Sequence, residues 1–188
     1  MNRLPLQGLS PEKVWSTELE ARIRALTPDS GNEYALCVKT GLHLWNDSLH
    51  ASHALSQNIH NVTGSYWHGI MHRMEPDYSN AKYWFRRVGE HPVFPKLRDS
   101  AREWYAREGR ALLAGSCPPG PASRLDAWLS ADSWDPFGFI DLVSESRRLQ
   151  APGLTAVLER IQRLEIAWLL QYSYEQYCGG TLFETISA

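Results

Sequence analysis

Residues 152–180 read PGLTAVLERIQRLEIAWLLQYSYEQYCGG, and this run decides the fold class. Proline stands first, where a helix needs no amide donor, and two glycines close the run, where a helix can end in the left-handed region. Apolar residues dominate the interval without alternating as a strand does, so it predicts one long apolar helix from Pro152 to Tyr177.

The same signals recur upstream. Asp135-Pro136 opens a helix running to Arg148, a short one surrounds Leu125 to Leu129, and Pro95 starts an amphipathic helix that reaches about Ala114. Between these lies Gly115-Ser-Cys-Pro-Pro-Gly-Pro-Ala122, the densest proline and glycine run, read as a surface loop. A helix from Thr63 must end near Glu75, ahead of Pro76, and another, capped by Asp77 or Ser79, stops at Gly89. Glu33 to Asn61 contains no proline and reads as one long helix, with Gly41 the candidate break, and Ser10-Pro11 opens a first helix ending near Thr27. No alternating strand pattern and no fixed repeat appears. The expectation is a single all-α domain over residues 1–188, a bundle of about six to eight helices.

Composition limits the function classes. The 188 residues carry 19 Lys and Arg against 21 Asp and Glu, a net charge of -2, which gives no global field for a nucleic acid or an anionic membrane. The N-terminal residues MNRLPLQGLSPEK lack a leader's apolar run, and the longest apolar cluster, IAWLL at 166–170, is far too short to span a membrane. Cys37, Cys117 and Cys178 are widely separated and form no C-x-x-C pair, so neither a disulfide framework nor a thiolate zinc site is expected, and a reducing cytoplasm is the simplest location. Hydrolase-elbow, phosphate-loop and dinucleotide motifs are absent.

The chemistry concentrates between Gly64 and Phe94. His68 and His72 stand four apart and Glu75 follows three later, so a helix projects all three from one stripe. Two imidazoles one turn apart can reach a single divalent metal ion, with Glu75 or Asp77 as a further ligand or as base for bound water. The alternative is a pair of histidines hydrogen-bonded in a polar seam. A second stripe, His43, Asn46, His50, His53, Gln57 and His60, would run about 26 Å along the long helix, too far for more than a neighbouring pair to share an ion. His50 and His53 are best placed, and the short connection at Asn61 to Gly64 favours antiparallel packing that would bring the stripes together.

Beyond Pro76, Lys82 and Arg86 share one helix face and Arg87 lies on the next, a spacing that can hold a phosphate or carboxylate, while Tyr83 and Trp84 offer stacking rings. Asn80 and His91 complete the set of candidate ligand-binding residues, together with His53. The competing reading pairs Glu75 and Asp77 with Arg73, Arg86 or Arg87 as a purely structural network.

The block YWHGIMHRMEPDYSNAKYWFRRVGEHP, residues 66–92, resembles a block of an uncharacterised family of bacterial and fungal proteins. The resemblance implies a shared site or packing seam and assigns no reaction. Met74 departs from it, standing where a second basic residue after Arg73 is expected. Together these readings point to a polar pocket for a small anionic ligand, with metal-assisted hydrolysis the most economical chemistry, and alternatively to a non-catalytic binding or interaction module.

Overall fold

The structure, a computed structural model, describes residues 7–29, 31–184 and 186; residues 1–6, read above for a leader, lie outside them. Among the described residues 72% are helical and none forms a strand. The helices are α1 (Thr17–Ala25), α2 (Glu33–Trp45), α3 (Leu49–Ser56), α4 (Val62–Met74), α5 (Tyr78–Val88), α6 (Val93–Trp104), α7 (Arg110–Leu113), α8 (Pro119–Ser130), α9 (Pro136–Leu149) and α10 (Pro152–Cys178). A π-helical turn, Tyr105–Gly109, joins α6 to α7 without interruption, so these segments make nine rods among the described residues.

Two helices form the interior. Every residue of α4 from Thr63 to Met74 is buried, and α10 buries Leu154, Leu158, Ile161, Leu164, Leu169 and Leu170 among others. Around them, α10 packs on α2, α6, α7 and α9, and α4 packs on α2, α3 and α5. Glycine permits two of these approaches. A Cβ on Gly41 would stand 2.6 Å from the Trp67 indole, and one on Gly69 would stand 2.8 Å from the Phe85 ring.

A polar seam ties α4 to α10. Arg73 pairs with Glu165, both fully buried. Tyr66 donates to Glu165 at 3.0 Å, Arg73 donates to Gln162 at 3.3 Å, and the Arg73 guanidinium lies 4.4 Å from the Phe139 ring centroid. Trp67 donates to Ser173 at 3.3 Å. Buried charge of this kind is tolerated because each group has an opposite charge or a hydrogen-bond partner.

Several boundaries differ from the sequence expectation. The long helix breaks after Trp45, not at Gly41, because Asp47 takes a left-handed φ of 59° and α3 restarts behind it. Gly41 stays within α2, where its missing Cβ admits Trp67. Asn46 holds the corner: it accepts from the Ser16 amide at 3.1 Å and its amide group donates to the Ser16 carbonyl at 2.9 Å. The chain is irregular through Ser10 and Pro11, and α1 starts only at Thr17, capped by the Ser16 hydroxyl, which accepts from Leu19 N at 3.1 Å. Pro119 takes the first position of α8, which shortens the proline loop and extends the helix expected around Leu125. The ends of α5, α9 and α10 fall within a residue or two of expectation. No described helix is long and apolar enough to cross a membrane.

Candidate metal centre

Helix α4 carries His68 and His72 on one stripe, as their spacing requires, and the break at Asp47 swings α3 so that His53 meets them. The His53 ring lies edge-on to both, 4.9 Å from His68 and 5.3 Å from His72 between centroids, while His68 and His72 stack at 4.8 Å. One ring nitrogen from each of the three lies within 4.8 Å of the others. Nitrogens sharing one tetrahedral zinc ion at about 2.1 Å stand about 3.4 Å apart. Modest side-chain rotation would therefore bring these three onto one ion.

The electrostatics suit that role. Burial, then the positive charge that His72 and His53 would carry, pushes the His68 pKa down to about 4, against a hydrogen bond to the Ser56 backbone. Burial and then His53 lower His72, with Asp77 opposing. Both imidazoles are thus neutral near pH 7, the form that ligates metal. The Nδ1 atoms of His68 and His72 are buried and have no hydrogen-bond partner. An unsatisfied buried acceptor costs about 1 to 3 kcal/mol, which coordination would recover.

Two carboxylates flank the cluster. Glu75 Oε2 lies 3.9 Å and Asp77 Oδ2 lies 4.0 Å from His72 Nδ1. Asp77 also caps α5: its Oδ1 accepts from the Asn80 amide at 3.2 Å and the Ser79 hydroxyl at 3.1 Å. Asn80 reaches the site through its backbone amide, which donates to that cap. Glu75 is exposed at the end of α4.

Trp84 forms the wall behind His68, its indole stacked on the imidazole at 3.9 Å and 15°. The Arg87 guanidinium covers the Trp84 ring at 5.3 Å, and exposed Tyr83 stands edge-on to Trp84 at 5.5 Å.

The remaining sequence candidates lie elsewhere. Lys82 pairs with Asp141 of α9 at 2.6 Å, and Arg86 is exposed in a cleft of about 530 Å³ with Phe94, Trp134 and Phe137. Among the described residues neither Glu75 nor Asp77 pairs with Arg73, Arg86 or Arg87, and Arg73 is held by Glu165 instead. His91 is caged by Tyr66, Phe94 and Tyr172. Its Nδ1 accepts from the Val93 amide at 3.2 Å, which starts α6 two residues ahead of Pro95, and its Nε2 faces Thr63 Oγ1 at 3.2 Å. The proposed continuous stripe is divided as well. His43 turns to Glu20 at 3.1 Å, while His50 and His60 are exposed.

Sequence reasoning missed the Arg73–Glu165 pair, whose members are 92 positions apart and carry no local signal of each other. Comparison of the chain with protein-family models, with curated proteins and with solved structures found no match in any of the three.

Proposed function

We propose that the protein binds a divalent transition metal through His53, His68 and His72 and uses it in hydrolysis of a small anionic molecule. The observation that carries this reading is the convergence of three imidazoles, two of them with buried ring nitrogens lacking any partner. An all-imidazole set suits zinc, copper, nickel or iron rather than magnesium or calcium. Bound there, a metal with three protein ligands supplies an open position and an activated water. His68 and His72 would be the ligands on one helix, Trp84 would keep water from one face of His68, and Glu75 or Asp77, 3.9 and 4.0 Å from His72 Nδ1, would take a proton there. Trp84 stacks on His68 and is bordered by Tyr83 and Arg87, which supports a role for these three in holding the ligand, whereas the positions of Lys82, Arg86 and His91 offer it no direct contact. Three free thiols suit a reducing cytoplasm, and the near-neutral charge supports a small-molecule partner rather than a nucleic acid.

The alternative, a non-catalytic binding module, draws on one observation: Arg73 and Lys82 are already engaged by Glu165 and Asp141. Metal analysis separates the two. Protein stripped with chelator and titrated with zinc should take up one ion per chain, and zinc at 100 times Kd should stabilise the fold by about 2.7 kcal/mol. His72→Ala and His53→Ala should each abolish uptake. Parent protein that takes up no zinc, cobalt, nickel or copper at this stoichiometry would remove the proposal.

A further inference from the structure

His68 and His72 are 3% and 6% exposed, so an ion that reaches their ring nitrogens needs a way past the helices packed on α4. Those helices are unequally anchored. On one side α5 buries Ala81, Phe85 and Val88, and its Trp84 stacks on His68. On another, α2 buries Leu44 and Trp45. The side chains that α3 buries are Ser52 and Ser56, which makes it the one helix among the described residues without a fully buried apolar side chain. Its Leu49 packs partly buried against the core.

Polar groups weaken its seat further. Ser52 is fully buried and its hydroxyl has no hydrogen-bond partner, which opposes burial of this face. Ser48, at the N-cap, donates to Glu20 instead of capping the helix. Both ends of α3 are nonetheless fixed. Ahead of it Asn46 clasps Ser16 and Asp47 accepts from Gln7, and behind it Ile59 is buried against Gly64. Between these ends, α3 meets the α4 histidines through His53, whose ring nitrogen lies within 4.8 Å of theirs, and through a hydrogen bond from His68 to the Ser56 backbone.

We infer that α3 is the gate of the histidine centre: it moves out between its fixed ends to admit the ion and is held shut once His53 shares that ion with His68 and His72. The inference rests on the metal-centre reading and adds how the centre is loaded and what loading does to the fold. Ligation gives α3 the anchor that its serine face lacks, so occupancy of the centre sets the order of this one helix.

Amide hydrogen exchange of residues 52–56 tests this, with zinc uptake measured on the same samples. With chelator present these amides should exchange at least about 100-fold faster than those of Ile161 to Leu170 in α10, because α3 opens without global unfolding. Zinc at 100 times Kd should slow them by about tenfold or more, up to the factor of about 100 that mass action sets for an opening that gives up the ion. Ser52→Ala removes the unpartnered hydroxyl and keeps all three histidines. It should slow the same amides by about fivefold or more with chelator present, whereas loss of a supporting contact would speed them. Metal-free protein in which α3 is as protected as α10, or zinc uptake that leaves the exchange of α3 unchanged, overturns the gate and leaves the metal centre intact. Absence of zinc uptake overturns the metal centre and the gate with it, and is read from the uptake before any exchange is followed.

Discussion

His91 should make the fold sensitive to mild acid, and the size of the effect follows from its surroundings. Burial pushes its pKa down to about 4. Its Nδ1 accepts the Val93 amide proton, so a proton on that nitrogen must displace the bond that starts α6. In the unfolded chain the same imidazole titrates near its ordinary value, about 6.5. Between pH 6.5 and 4 the unfolded state binds more protons than the folded one, so stability is fully present above about pH 6.5 and falls as the pH drops through this window. From pH 7.5 to 5.0 the loss from this one group is about 2 kcal/mol, and it saturates at about 3 kcal/mol below pH 4. His91→Asn keeps an acceptor near the Val93 amide and removes the titration. It should cost about 1 to 2 kcal/mol at pH 7.5 through lost packing among Tyr66, Phe94 and Tyr172. Urea denaturation with chelator present, at steps between pH 7.5 and 5.0, should show parent and variant converging toward pH 5. Parallel curves across the window would refute the reasoning.

Arg73→Met should destabilise the protein by about 3 to 5 kcal/mol, because it leaves Glu165 buried without its cation, and adding Glu165→Leu should recover much of the loss. A single variant within about 1 kcal/mol of the parent in urea would contradict the buried pair. Gly69→Ala places a Cβ 2.8 Å from the Phe85 ring and should cost about 1 to 3 kcal/mol, with Phe85→Leu in the same chain relieving part of it. An unchanged melting temperature for Gly69→Ala would show that α4 and α5 do not approach so closely.

What the sequence by itself determined is what depends on a few neighbouring residues. Asp77 and Asp135 cap helices because an aspartate oxygen reaches an amide two or three residues ahead, as both do in the structure. Pro152 and Gly179 bound α10 through their own backbone preferences. His68 and His72 were legible as a pair because α-helical geometry alone puts residues four apart on one face. The break at Asp47 was not legible, since its left-handed turn is held by Asn46 reaching Ser16 and by Gln7 reaching Asp47 across 40 positions. With that corner undetermined, the sequence could not say that His53 would join His68 and His72 while His43 turned to Glu20 and His50 faced solvent. Lys82 likewise read as an anion-binding cation until the packing of α5 on α9 supplied Asp141, and only the packing of α4 on α10 brought Glu165 to Arg73. Tertiary structure decided the partners because a charge or a ring nitrogen is satisfied by whatever lies within a few ångströms in space, and only the packing of distant helices sets what that is.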